Sequence, residues 1–176
     1  KQDAYFEAEW RRKPGAGPLL INFIHDIDAL RAICGEVHSI QAITSNRVRG
    51  FEVEDTAAII IRFANGAMAN VTINQFQKPN VATFEFIGDA GNLMIEHSTL
   101  KFADDDSGAW KEQRNYMDGL VPTEAHQARF RLQADAMLDA IEGRPCWLAT
   151  LDEARDNLRV ALAAKQSWRE KRIISL

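Results

Sequence analysis

A histidine and an aspartate stand three residues apart, at His25 and Asp28, inside a run whose apolar spacing is helical. Residues three apart on a helix share a face. An imidazole exchanges protons near neutral pH, and a carboxylate beside it could orient the ring and raise its basicity. The two residues also have a plainer reading, in which His25 packs or hydrogen-bonds and Asp28 pairs with His25 or Arg31 on the helix surface. Spacing leaves both open.

The helix that must position them starts near Pro18, whose missing N–H is harmless in a first turn, and stops at Cys34 before Gly35. At 100° per residue Leu20, Phe23, Ile24, Ile27, Leu30 and Cys34 form one stripe, expected to pack on a sheet. His25 lies almost opposite, among Ile21, Asn22, Ala29 and Ala32. A solvent face would carry Lys, Glu and Arg. Small residues, an amide and an imidazole suit close approach of another backbone or a ligand, so something else is expected to cover this side. The chain also begins at Lys1 and runs at once into aromatic sequence, as an excised fragment would.

The surrounding elements follow from period and punctuation. Tyr5 to Trp10 alternates aromatic and charged residues and predicts a short strand, then a flexible loop at Pro14-Gly15-Ala16-Gly17. A strand is expected from Val37 to Thr44. Thr56–Phe63 and Ala67–Phe76 are β-branched runs joined at Asn65-Gly66, a pair that favours a type I′ hairpin. Val81–Ile87 and Leu93–His97 predict a second hairpin across Gly88-Asp89-Ala90-Gly91, and Leu100–Ala103 a further strand before the acidic turn Asp104–Gly108.

The C-terminal third reads as helical. One helix spans Thr123 to Glu142, with Phe130, Met137, Leu138 and Ile141 among its apolar positions. The last opens on Thr150 and Glu153, a capping box, and carries a stripe of Leu158, Ala161, Leu162 and Trp168. The expected fold is one α+β domain, an open mixed or antiparallel β-sheet covered on one face by helices.

Composition removes several functions. A net charge of -4 gives no reason to expect nucleic acid or an anionic membrane as partner. No apolar run approaches the roughly 20 residues that span a bilayer, and no signal-peptide pattern opens the chain. Cys34 and Cys146 read as ordinary buried thiols in a cytoplasmic setting, without the Cys/His clustering of a metal site. Gly15-Ala16-Gly17-Pro18 follows no apolar strand and lacks a third glycine, so no dinucleotide is expected to bind this chain. Asp104–Asp106 is out of register for a calcium loop. Lys165, Arg169, Lys171 and Arg172 suit the last turns of a helix and need no partner.

The run from Gly15 to Asp28, with its glycine loop and His-x-x-Asp element, resembles a signature of the Gfo/Idh/MocA oxidoreductases, relatives of glucose–fructose oxidoreductase and inositol dehydrogenase. Glu54-Asp55-Thr56-Ala57 followed by Phe63-Ala64-Asn65-Gly66-Ala67 is similar to a second pattern of that family, and the closing helix, Leu158 to Leu176, to its usual end. The resemblance implies a C-terminal, substrate-side domain whose partner is an N-terminal Rossmann domain that holds NAD or NADP and a catalytic lysine. It implies that His25 contacts the substrate hydroxyl as general base or relay, and that the sheet's outer face makes a homo-oligomer. The alternation of Asn70, Thr72 and Asn74 with Val71 and Ile73 is compatible with such an interface and equally with solvent. One departure stands out. Many members carry aspartate four residues before the histidine; here that position is Ile21, and Asn22 is the nearest polar substitute.

The expected function is therefore hydride transfer between a sugar, cyclitol or related polyol and NAD(P), with this chain inactive alone. The alternative is a non-catalytic binding or oligomerisation module of the same fold. Around His25, the candidate substrate-binding residues are Asn22, Asp28, Trp10, Arg11, Lys78 and Asn80. Strand-end packing explains the aromatic Trp10, and loop exposure explains Lys78 and Asn80, equally well.

Overall fold

Among the described residues the strands form two four-stranded antiparallel sheets, one in each of two units. The structure, a computed structural model, describes residues 1–79, 81–104 and 108–176. The first unit comprises Lys1–Gln77 and Ala149–Leu176, the second Lys78–Leu148. Asn80 and the Asp105–Ser107 part of the acidic turn lie outside the described residues.

In the first unit two 3₁₀ turns, Asp3–Phe6 and Glu9–Arg12, precede helices α1 (Pro18–Ile21) and α2 (Phe23–Cys34). Strands β1 (Val37–Ser45), β2 (Thr56–Phe63) and β3 (Met68–Asn74) follow. On β2, Ala57, Ile59, Ile61 and Phe63 are buried while Ala58, Ile60 and Arg62 are exposed. One face is thus covered, as expected, and the final helix α4 (Leu151–Glu170) lies on β1 to cover it. The chain then returns as β8 (Ile174–Ser175), so the sheet order is β3-β2-β1-β8.

Several expectations change here. The N-terminal segment is not a strand: Phe6 is buried between the Tyr5 and Phe51 rings, and Arg11 and Arg49 stack on Tyr5 and Phe6. Aromatic–arginine stacking holds a compact turn that needs no neighbouring strand. The closing helix stops at Glu170, because Lys171 turns left-handed at φ 53° and the next residues pair with β1. Its buried side is rotated from the expected stripe: Val160, Ala161, Ala163, Ala164 and Ser167 face inward, while Leu158, Leu162 and Trp168 are exposed. Small residues let α4 approach β1 closely, and Ser167 Oγ accepts from the Ala42 N–H and donates to the Arg172 carbonyl. The capping box forms as expected between Thr150 and Glu153.

The Asn65-Gly66 hairpin also forms, with a different turn. Gly66 alone is left-handed (φ 93°), its N–H donates to the Phe63 carbonyl, and the Phe63 N–H donates to the Ala67 carbonyl. That is a type I turn closed by a glycine bulge rather than type I′. Asn65 keeps negative φ, and its side-chain amide donates to the Cys34 carbonyl at the end of α2. Strand β3 ends earlier than expected because Asn74 Oδ1 accepts from the Phe76 and Gln77 N–H groups and bends the chain. Both cysteines are free and half-buried rather than fully buried.

The second unit holds β4 (Thr83–Gly88), β5 (Gly91–Glu96), β6 (Thr99–Ala103) and β7 (Lys111–Asn115) in sequential order. The expected hairpin forms, with Gly88 paired to Gly91 across a two-residue turn, so that both glycines belong to the strands rather than to the connection. Strand β7, Lys-Glu-Gln-Arg-Asn, has no apolar alternation and was not expected. It is an edge strand held by its ladder to β6, where charged residues are common. Helix α3 (Pro122–Ile141) matches the expected span, but Phe130, Met137, Leu138 and Ile141 stand exposed.

Candidate active site

The loop before His25 is set by a buried carboxylate. Glu54 is only 8% exposed, and its Oε1 accepts from the Leu19 N–H at 3.2 Å in the first turn of α1. Its Oε2 lies 3.5 Å from Lys165 Nζ on α4. Gly17 adopts φ 91°, and a Cβ there would sit 2.3 Å from Glu54 Oε1. With Ala16 and Gly17 buried, this loop is packed rather than solvated. The Leu19 N–H of the first turn is thus taken by Glu54.

Next to Glu54, Asp55 organises the loop after β1. Its Oδ2 accepts from the Val48 and Arg49 N–H groups, at 2.9 and 2.7 Å, and its Oδ1 from Thr56 Oγ1. The Glu-Asp-Thr-Ala pattern is thus a framework element. It places the glycine loop and the start of β2 on one scaffold.

The expected single helix is broken at Asn22 (φ -110°, ψ -53°), which ends α1 and begins α2. Asn22 is half-buried, its carbonyl accepts from the His25 N–H at 3.1 Å, and its Oδ1 accepts from Gln75 Nε2 at 3.4 Å. His25 is exposed one turn on. The surrounding face holds half-buried Ile21 and Ala29 and exposed Ala32, as the sequence predicts.

Asp28 is engaged elsewhere. Its Oδ1 accepts from Asn157 Nδ2 on α4 at 2.7 Å, and Asn157 Oδ1 in turn accepts from Arg31. Arg31 is 9% exposed and also grips Glu36 and the Glu153 carbonyl. The apolar side of α2 therefore docks on α4, with a polar clamp at its edge, rather than directly on the sheet. Trp10 is 57% exposed and Arg11 lies against its ring and that of Tyr5, with Nη1 bonded to the Tyr5 carbonyl. Lys78 is exposed in the second unit. No group of three or more metal-ligating side chains occurs among the described residues.

Sequence reasoning passed over Asp26, Gln75 and Asn157. Asp26 lies beside His25, and burial raises its carboxyl above the usual aspartate range while His25 pulls it back. A raised pKa means that the folded state holds the proton more tightly than the unfolded chain. This group thus favours folding fully below the unfolded pKa, and the contribution is lost as pH rises through the folded value. Asp26→Asn is expected to stabilise the chain more near neutrality than in acid, measured by urea unfolding at about pH 7 and about pH 3. A difference that does not change with pH contradicts it.

Comparison with known proteins places these features. The profile of the GFO/IDH/MocA C-terminal domain matches residues 1–94. No curated protein matches the chain. Among solved structures, the WlbA dehydrogenase from Bordetella pertussis, in complex with NADH and UDP-GlcNAcA, is 22% identical with a TM-score of 0.75, covering 100% of this chain and 52% of that one. Levoglucosan dehydrogenase, in complex with NADH and levoglucosan, is 23% identical with a TM-score of 0.73, over 96% of this chain and 53% of that one. An oxidoreductase from Agrobacterium radiobacter, in complex with NAD+, L-tartaric acid and magnesium, is 17% identical with a TM-score of 0.71, over 89% and 48%. These likenesses establish the shared fold, and this chain spans about half the length of each. With the profile match covering the glycine loop, the His25 helix and the Glu54 framework, the chain belongs to the GFO/IDH/MocA C-terminal domain family.

Proposed function

We propose that this chain is the substrate-side domain of an NAD(P)-dependent oxidoreductase acting on a sugar, cyclitol or related polyol by hydride transfer. The observation that carries the reading is an exposed His25 beside the half-buried Asn22, with the small Ala29 and Ala32 on the same side of the helix. His25 takes the proton of the reacting hydroxyl, and Asn22 supplies an amide contact to the sugar. Asp28 supports α2 through Asn157 rather than orienting the imidazole. Trp10 and Arg11 are assigned to the margin of the sugar site. NAD or NADP, held by a Rossmann domain outside this chain, supplies the hydride acceptor. Support comes from family membership and from the nicotinamide complexes of the structural relatives. Assembly as a homo-oligomer through the sheet belongs to the same proposal. No helix among the described residues is long and apolar enough to cross a membrane.

The test uses the complete protein with its nucleotide-binding domain. His25→Ala is expected to lower kcat by about 10²–10⁴-fold on the sugar it oxidises, the usual range for a general acid or base, without weakening NADH binding. NADH is expected to bind the complete protein and not the 176-residue chain. Saturable NADH binding to the chain alone, or full activity of His25→Ala, refutes the reading.

A further inference from the structure

We propose that Gln75 is a positioning residue for Asn22, and that the two amides fix a hydrogen-bond donor beside His25 for an accepting oxygen of the substrate. The inference rests on the sugar-oxidoreductase reading and specifies one contact within it. Gln75 sits one residue beyond β3 and is 4% exposed, which is uncommon for a glutamine. Its backbone is held by the framework: its N–H donates to the Asp55 carbonyl at 3.1 Å. The side chain therefore leaves a rigid base, and its Nε2 donates to Asn22 Oδ1.

A carboxamide has one accepting oxygen and two N–H donors. Gln75 engages the oxygen of Asn22, so the Nδ2 group is the end left to address a ligand. Asn22 stands where α1 gives way to α2, and its own carbonyl holds the His25 N–H. The amide and the imidazole thus share one turn of backbone. Ile21, the neighbour that could have carried a carboxylate, offers neither donor nor acceptor. At this point the site provides a neutral donor, suited to a carbonyl, ring or carboxylate oxygen of a sugar. Because the Asp55 backbone bonds to Gln75, the Glu-Asp-Thr-Ala framework that shapes the glycine loop also sets this amide.

The experiment is nuclear magnetic resonance on the ¹⁵N-labelled chain, wild type and Gln75→Met, titrated with glucuronate. Methionine keeps the volume and the backbone bonds of residue 75 while removing its donor. The Asn22 Nδ2 protons are expected to be well dispersed in the wild type and to collapse toward free-amide shifts in Gln75→Met, with α4 backbone signals unmoved. Glucuronate is expected to shift the Asn22 Nδ2 and His25 ring signals, with affinity falling about three- to tenfold in the variant, the usual weight of one neutral hydrogen bond. An Asn22 amide indifferent to Gln75→Met overturns the positioning role. A response at His25 with none at Asn22 overturns the donor role and leaves the proposed function standing. No response at either residue overturns the assignment of the amide to a sugar oxygen. Absence of sugar oxidation by the complete protein defeats the proposed function separately, while the amide signals still judge the pair.

Discussion

Replacing Gly17 by alanine is expected to lower the unfolding free energy by about 2.5–5 kcal/mol, well beyond the effect of the same change at Gly15. Both glycines are left-handed, at φ 91° and 98°, so each substitution carries a backbone penalty of about 1–2 kcal/mol. They differ in what a methyl group meets. Nothing lies within 4 Å of a Cβ at Gly15, whereas at Gly17 Glu54 Oε1 would be 2.3 Å away and Cδ 2.6 Å. Glu54 can retreat only by leaving the Leu19 N–H and loosening its contact with Lys165. Losing a bond to a buried carboxylate costs about 1.5–3 kcal/mol. Urea unfolding of Gly15→Ala and Gly17→Ala decides the matter: equal losses mean that the Glu54 contact contributes nothing. Since Gly17 immediately precedes α1, the variant is also expected to disturb Asn22 and His25.

Arg31→Ala is expected to cost about 1–3 kcal/mol for each buried neutral acceptor it leaves unmet. Arg31 joins α2 to α4 through Asn157 Oδ1 and the Glu153 carbonyl, and to Glu36 at the end of its own helix. Glu36 is largely exposed and recovers water when the arginine is gone, so its share is small. Asn157 is buried and has no such recourse. The penalty therefore lies in the unmet carbonyls. In a double-mutant cycle Arg31→Met and Asn157→Leu are expected to be non-additive, because each alone already removes the bond they share, while Asn157→Leu also removes the donor to Asp28. Simple additivity in thermal unfolding would show that Arg31 and Asn157 act independently.

Local physics carried much of this fold. Pro18 and Gly35 bound the His25 segment, the Thr150–Glu153 box starts α4, and alternation locates β1 to β6, because each signal depends on residues a few positions apart. Where expectation failed, a distant partner had intervened. Tyr5–Trp10 alternates like a strand, yet cation–π stacking with Arg11 and Arg49 folds it into turns. Strand β7 has no apolar pattern, because β6 alone recruits it. The α4 stripe was drawn through leucines, whereas alanines and Ser167 meet the sheet, since closeness of approach outweighed side-chain size.

The candidate site divides in the same way. From sequence came the helical segment that carries His25, with Asn22 on its side, a consequence of a 3.6-residue period. Only the tertiary structure decided which polar groups serve that site. Asp28 is drawn away by Asn157, Glu54 crosses 35 residues to reach Leu19, and Gln75 crosses 53 to reach Asn22. Buried polar groups must find hydrogen bonds wherever the fold offers them, and those partners are set by packing rather than by spacing along the chain.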